Sequence, residues 1–493
     1  MTLIAAFLGW AFDGFEMGLF PLVGQAALKD LLGPGATSGE AAQWFGAIIA
    51  VFLVGAASGG VLFGWLGDKI GRVRAMSLSI FTYAIFTGLC GFATEAWHVA
   101  ALRFVASLGM GGEWSLGVAL VNEVWPGKGR ALIAGLIGAA ANVGYLLVAA
   151  LSMGLVGFIG HVEEMLRAIG FSEGITQSLL ANSAWRFLMI SGAFPAFLIL
   201  FIRLSVPESE RWQEEKAKGS TSHWSNPDLI GVFVACAAAL VVIGVWSPAM
   251  TGLHPGIAVA VTVVGVGIAL LGYLHPVRRY LARAIAAGSL SEESRTRVLR
   301  RMLFGAGLAG VALLGTWGSI QWAPRWAAEL QPDTATVKYF AKEKTQLATA
   351  FGAIVGTIAA ALTAGILGRR LTYAGMCVGS IGAALYFYQG HATFDGGFLF
   401  AAFLAGAMTA AFYGFFPLYF PELFPTAVRA TGQGFAFNFG RIVAAVGGLH
   451  TATLMQAFGG SFAQAGSTMA AIYLVGAVLI WFGPETKETD LPG

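Results

Sequence analysis

Charge is scarce in this chain. Of 493 residues, Asp, Glu, Lys and Arg together make up 11%, less than half the roughly 25% of a soluble domain. A soluble fold of this size is thereby excluded. Cysteine is almost missing: Cys90, Cys236 and Cys377 each fall in an apolar stretch with no ligand-like spacing, so no disulfide framework or metal site is expected. Sustained strand-like alternation is missing too, which excludes an outer-membrane barrel. No basic region precedes the first apolar run, and Asp13 and Glu16 interrupt it, so the segment reads as a first span, not a cleaved signal peptide. A nucleophile–base constellation, a metal cluster and a phosphate loop are all absent. The expectation is therefore no enzyme, no cofactor and no nucleic-acid partner. The chain is instead rich in apolar residues, at 57%, and in glycine, with 68. It reads as an all-α polytopic membrane protein embedded in the lipid bilayer.

Apolar runs near the ~20 residues that cross a bilayer lie at 3–22, 43–66, 75–94, 97–121, 131–158 and 185–204. Two more lie at 228–247 and 256–274, and six at 302–323, 346–367, 372–390, 396–420, 430–458 and 462–482. This makes fourteen spans: two six-helix bundles, 1–204 and 302–493, with a central segment, 205–301, that carries an inserted two-helix hairpin. With the N-terminus cytoplasmic, 20 basic residues fall inside, Lys128 and Arg203 among them, against 6 outside. This agrees with the positive-inside rule and places both termini in the cytoplasm of a plasma (inner) membrane protein. The hairpin is nearly free of ionisable groups and is expected to pack on lipid and core without touching substrate. Beyond it, Val277–Ala287 and Ser291–Arg301 read as two short helices broken at Gly288, with Ser291 as an N-cap. Their arginines lie along anionic headgroups or belong to a solvated linker.

The chain repeats itself. Glu-x-x-Pro-x-x-x-Arg-Ala occurs at Glu123–Ala131 and Glu422–Ala430; Gly64-x-Leu66-Gly67 returns as Gly365-x-Leu367-Gly368; Pro207-Glu208-Ser209 returns as Pro484-Glu485-Thr486. Repeated membrane bundles enclose a solute site at their interface. The motif Gly64-Trp-Leu-Gly-Asp68-Lys69-Ile-Gly71-Arg72-Val-Arg74 resembles the helix 2–3 loop of the major facilitator superfamily. Arg103-x5-Gly109-x-Gly111-Gly112-Glu113 is similar to the fourth-helix motif of its sugar-porter and metabolite–proton symporter branches. Pro207-Glu208-Ser209-x-Arg211-Trp212 and Pro484-Glu485-Thr486-Lys487 resemble the sugar-porter signatures. Pro421-Glu422-Leu-Phe-Pro425-x3-Arg429-Ala-Thr-Gly432 with Asn438-Phe-Gly440-Arg441 resembles sialate, niacin and aromatic-acid porters. The resemblance implies a secondary transporter working by alternating access. It implies that Asp68 and its neighbouring arginines form an ion-pair latch that opens as the bundles rock. Gly71, Glu123, Arg130, Glu208, Arg211, Glu422, Arg429 and Glu485 join the gating set. In the second copy of the loop, Arg369-Arg370 stands where the first has Asp68-Lys69. The paired glutamines of sugar porters are missing: Leu314–Trp322 carries one glutamine and two tryptophans.

Charges within spans are costly, ~2.5–3.5 kcal/mol each on insertion scales, and so mark function. Asp13 and Glu16 share a face of helix 1. The resemblance pairs Asp13 with Arg103 as a proton switch; a static ion pair is the other reading. Glu113 is a second proton site or the partner of a cation on the cytoplasmic side. Arg441, with Asn438 a turn away, is a carboxylate clamp or is permanently paired with a helix 1 acid. Trp317, Gln321, Asn142, Tyr145 and Tyr413 are candidates to line the site. Trp322 and Trp326 read as interfacial anchors, the glycines at 55–60 and 109–112 as packing positions, and His450 as a packed polar residue. The expectation is a monomeric, proton-coupled symporter of a small organic solute, an organic acid before a neutral sugar. An uncoupled facilitator and a nutrient sensor are the alternatives. Such a sensor needs a large cytoplasmic tail, and about ten residues follow the last span.

Overall fold

The computed structural model describes residues 1–125, 129–246, 253–330, 340–487 and 489–492; Lys128 lies outside them, as do the side chains of Arg203 and His450. The apolar runs form helices because a backbone in lipid must satisfy its own hydrogen bonds. Five open the chain: α1 (Thr2–Leu32), α2 (Ser38–Ile70), α3 (Arg72–Leu89), α4 (Ala96–Val124) and α5 (Arg130–Ala168). The sixth, α6, spans Glu173–Ser191 and Leu198–Ser205 and is interrupted twice, between these stretches and within the first at Ala181–Ala184, where the backbone leaves the helix. The hairpin is α7 (Ile230–Val245) and α8 (Pro255–Ala286). Then come α9 (Glu292–Gly318), α10 (Ala341–Leu367), α11 (Arg369–Gly390), α12 (Gly396–Ala410 and Phe412–Leu423), α13 (Arg429–Asn438 and Gly440–Ala457) and α14 (Phe462–Met469 and Ile472–Leu479). Among the described residues, twelve helices are long and apolar enough to cross a membrane. The divided α6 and α13 complete the fourteen spans. Val277–Ala287 and Ser291–Arg301 are not separate helices: they continue α8 and α9. The break at Gly288 (φ 75°) remains, and Ser291 accepts from the Ser294 N–H.

Polar side chains set the helix ends. At the start of α2, Thr37 accepts from the Glu40 N–H while the Glu40 carboxylate takes the Thr37 N–H at 2.8 Å. These bonds from Thr37 hold the exposed Glu40 carboxyl below its ordinary range. Gly71 closes α2 and opens α3 at φ 109°, and a Cβ there would lie 2.3 Å from Glu208 Oε2. Glu208 needs that space because its Oε1 accepts from the Arg72 N–H at 2.9 Å. Gly71→Ala should therefore cost ~1–3 kcal/mol, read as a lowered melting temperature in detergent.

Within the first half α4 is central, packed on α1, α2 and α3; in the second, α9 packs on α13 and α10 on α12. The halves meet along α5 with α10 and α12, and along α2 with α13. The hairpin lies over this second seam. The Tyr273 hydroxyl on α8 bonds Ser58 Oγ on α2 at 2.8 Å, and its ring meets Phe439 between the pieces of α13 edge-on at 6.4 Å. The Trp224 indole N–H donates to the Ala427 carbonyl at 3.3 Å, and Lys69 bonds Asn226. The insert thus touches both bundles. Tyr273→Phe should lower stability by ~0.6 kcal/mol, a typical interhelical hydrogen bond in a membrane, measurable by unfolding in mixed micelles.

Candidate functional site

The arginine-rich helix ends converge on one face, where the repeated motifs interlock. Glu123, at the end of α4, takes Arg72 Nη2 at 3.0 Å and Arg429 Nη1 of the other half at 2.9 Å. Glu422, at the end of α12, takes Arg369 Nη2 at 2.6 Å and Arg130 Nη2 of the first half at 2.5 Å. Each glutamate therefore holds one arginine of its own bundle and one of the other. The two copies of Glu-x-x-Pro-x-x-x-Arg form a reciprocal double clasp. Its helix starts are capped alike: Glu208 accepts from the Arg72 and Val73 N–H groups, and Glu485 from those of Arg369 and Arg370.

This geometry corrects the register of the repeat. Gly368 (φ 91°) stands where Gly71 does, and Arg369 matches Arg72, not Asp68. The similar Gly-x-Leu-Gly strings are offset by one helical turn. Asp68 has no counterpart at all. It accepts from Arg72 Nη1 at 2.7 Å and, across the seam, from the Thr431 N–H at 2.8 Å and hydroxyl at 2.6 Å at the start of α13. Lys69 and Arg74 stay outside this latch: Lys69 is bound to Asn226 and lies over Trp65, and Arg74 is exposed. Arg211 is partly exposed on the same face, within electrostatic reach of Arg130 and Arg429.

At Glu485, burial favours the neutral acid, but backbone N–H groups of Arg369, Arg370 and Lys487, with the Arg369 charge, outweigh it. The carboxyl sits below its ordinary range. Because the folded value is the lower one, this cap stabilises above the unfolded pKa of ~4.3 and is lost as pH falls below it. A Glu485→Gln protein should lack that acid-side decline, which a melting series from pH 6 to 3 will read.

Above the clasp, amide side chains cross the seam. Asn438 Nδ2 donates to the Gly111 carbonyl at 3.0 Å, Asn122 Nδ2 to the Pro417 carbonyl at 3.1 Å, and Gln433 bonds the Ser115 carbonyl. Asn438 is thus committed between helices, although it was a candidate for substrate. Higher still lies a buried charged centre. Arg103 Nη1 reaches Glu16 Oε1 at 3.0 Å and not Asp13, which corrects the expected pair. Glu16 lies three residues, about 4.5 Å, farther along α1, level with Arg103 near the opposite end of α4. Thr87 also donates to Glu16 Oε1 at 3.1 Å, and the guanidinium lies between the Phe20 and Phe52 rings at 4.7 and 4.5 Å. Asp13 instead faces Glu113 and Arg441. Glu113 fits against α1 because Gly9 leaves room: a Cβ there would be 1.7 Å from Glu113 Oε1. Asp13 and Glu113 are both buried side by side, where one proton between them makes a hydrogen bond, with the Tyr83 hydroxyl close to Glu113; as two carboxylates they have no donor among the described residues. No carboxylate lies within 4 Å of the Arg441 nitrogens among the described residues, and its Nη1 is unpartnered. Its permanent pairing with an acid is therefore not seen.

Asn142, Tyr145, Trp317, Gln321 and Tyr413 are partly exposed, and Gln321, in the turn after α9, comes beside Tyr145 of α5. Asn142 Nδ2 also bonds the Gly138 carbonyl of its own helix at 3.4 Å. Thr87, Phe20, Phe52, Asn122 and Thr431 were missed in the sequence. Uncharged polar and aromatic residues in apolar helices give no signal beyond their proximity to a charge.

Comparison with known proteins agrees with this architecture. A family model described as Major Facilitator Superfamily matches residues 2–330, and one described as Sugar (and other) transporter matches 334–492. The chain is 26% identical over 494 residues to a putative metabolite transport protein of Haemophilus influenzae, covering 99% of this chain and 97% of that one. It is 26% identical over 486 residues to the putative niacin/nicotinamide transporter NiaP of Bacillus subtilis, covering 98% and 96%. The proton:xylose symporter XylE bound to 6-bromo-6-deoxy-D-glucose superposes with a TM-score of 0.66 at 18% identity, over 99% of this chain and 97% of that one. At that identity the likeness speaks for the fold alone. Two clasped six-helix bundles, a buried charged centre at their seam and a superfamily match over two thirds of the sequence lead to one conclusion: the chain belongs to the major facilitator superfamily and is an integral, multi-pass membrane transporter.

Proposed function

We propose that this transporter moves a small organic acid together with protons by alternating access, with Asp13 and Glu113 holding the coupling proton and Arg441 taking the substrate carboxylate. The observation that carries this is the pair of buried, adjacent carboxyls facing an arginine that makes no ion pair within 4 Å among the described residues. Charges in this setting must be balanced. Empty, one proton shared by the two carboxyls leaves one negative charge against Arg441. Loaded, the substrate brings a second negative charge, and a second proton on the carboxyl pair restores balance. One proton per carboxylate follows. Glu16–Arg103 fixes α1 on α4 beside this centre, and Trp317, Gln321, Asn142, Tyr145 and Tyr413 shape the approach. The relatives named for niacin and other metabolites support an organic substrate.

The basic face, bearing the double clasp, is the cytoplasmic side of a plasma (inner) membrane, and the clasp is the inner gate. The chain acts as a monomer, with residues 1–204 and 302–493 as the rocking bundles and 205–301 as the central segment with its hairpin. A neutral sugar is the competing substrate, favoured by the match of residues 334–492 to the Sugar (and other) transporter model. Uptake into proteoliposomes under an inward proton gradient, screening sialate, benzoate-type acids and hexoses, separates the two. Accumulation of an acid that Arg441→Gln abolishes supports the clamp. Accumulation of a hexose, undiminished in that variant, contradicts it.

A further inference from the structure

At ~1.5 Å per residue, Trp114 lies about 15 Å from the clasp-side end of α4, Phe437 about 12 Å from that of α13, and Trp10 about 12 Å from the N-terminal end of α1. All three are thus close to the bilayer midplane, where transporters of this architecture hold substrate. The rings of Trp114 and Phe437 stack face to face across the seam, with centroids 3.9 Å apart and planes at 15°. One belongs to each bundle. Around Phe437 stand Trp10 at 6.5 Å, Phe416 at 6.0 Å and Tyr413 at 6.2 Å, all nearly edge-on. The chain's own phenyl ring fills an aromatic box. The Trp10 and Trp114 indole N–H groups are buried there without an acceptor among the described residues. Four residues beyond Phe437 comes Arg441, its guanidinium 5.5 Å from that ring.

We propose that the Trp114–Phe437 stack marks the substrate slot, and that the substrate is a planar, conjugated carboxylate whose ring enters between these two faces. When the bundles part, a stack made of one ring from each must open, leaving two parallel aromatic walls. A flat ring restores both contacts, whereas a puckered one of equal size meets neither wall squarely. With its ring there, the substrate's carboxylate reaches Arg441, and polar atoms on the ring meet the two free indole N–H groups. This rests on the organic-acid reading and narrows it to a class. Phe437 acts as a plug for the empty site, so the slot shows no void while the seam is closed.

The test compares benzoate with cyclohexanecarboxylate, which share a carboxylate and a six-membered carbon ring and differ in flatness. Wild type in proteoliposomes should show kcat/KM about ten-fold higher for benzoate. Trp114→Phe should keep this preference, and Trp114→Leu should abolish it while Arg441 dependence persists. Benzoate should also quench tryptophan fluorescence of the detergent-solubilised wild type more than that of Trp114→Phe, a readout that needs no leucine variant. Equal handling of the two acids by wild type, or a preference unchanged in Trp114→Leu, would overturn the slot and leave the organic-acid reading standing. Uptake of hexose with neither acid transported would remove that reading and the slot with it.

Discussion

Replacing Asp13 with asparagine abolishes accumulation: substrate inside the vesicle should rise to the outside concentration and stop, whatever proton gradient is imposed. Counterflow exchange, which needs no net proton movement, should survive. Asp13 is buried beside Glu113 and faces Arg441. In this centre the shared proton stays with Glu113 and the second proton comes and goes at Asp13; an asparagine fills the same space with no proton to exchange, so with Glu113 neutral the substrate's charge balances Arg441 without a further proton. Glu16→Gln should behave differently. It leaves Arg103, almost fully buried, without its only acidic partner within 4 Å among the described residues, and losing one side of a buried pair costs ~3–5 kcal/mol. That variant should be recovered in low yield. Well-folded Glu16→Gln protein that has lost coupling, beside Asp13→Asn that retains it, would exchange the two roles.

The second large effect is expected at the clasp. Glu123→Gln leaves Arg429 buried beside Arg72 without an acidic partner within 4 Å among the described residues, and Arg72 with Asp68 alone. A penalty of ~3–5 kcal/mol is close to the ~5.5 kcal/mol that carries a two-state equilibrium from 1:99 to 99:1. Separating the bundles at this face relieves the repulsion by hydrating both arginines, so the variant should dwell open there. Spin labels at Arg74→Cys and Leu371→Cys, both exposed and on opposite bundles, should report a longer distance in Glu123→Gln than in its parent. Glu422→Gln should do the same from the other half, through Arg369 and Arg130. An unchanged distance in both variants would make the clasp structural only.

The reciprocity of this clasp was half legible in the sequence. Two matching Glu-x-x-Pro-x-x-x-Arg strings announce related work at two places. Which arginine serves which glutamate depends on how the halves face each other, and no string records that. The Gly-x-Leu-Gly repeat misled by one helical turn because glycine and leucine recur easily along apolar helices. The left-handed backbone at Gly71 and Gly368 (φ 109° and 91°) defines the true match. The same one-turn ambiguity put Asp13, in place of Glu16, opposite Arg103. Charge within apolar spans found the five charged residues of the central cluster, and span counting found the membrane helices, because both signals are local. The Trp114–Phe437 stack and the Tyr273–Ser58 bond join residues 323 and 215 positions apart. Nothing in composition or periodicity points across such distances. The hairpin, almost without charge, reads as packing on lipid and core, but which residue joins it to α2, Tyr273, is visible only in the fold.

Charge balance at Asp13, Glu113 and Arg441 is the centre of this account, and proton counting tests it most directly. Proteoliposomes in weakly buffered medium, with no imposed gradient, are given a pulse of benzoate while a pH electrode follows the bath and a radiolabel follows uptake. Beyond the change seen with protein-free vesicles, which neutral benzoic acid causes by crossing the lipid itself, wild type should alkalinise the bath in step with its uptake, one proton per carboxylate, and Asp13→Asn should add no such change. Benzoate entering through wild type without any proton would contradict this charge balance.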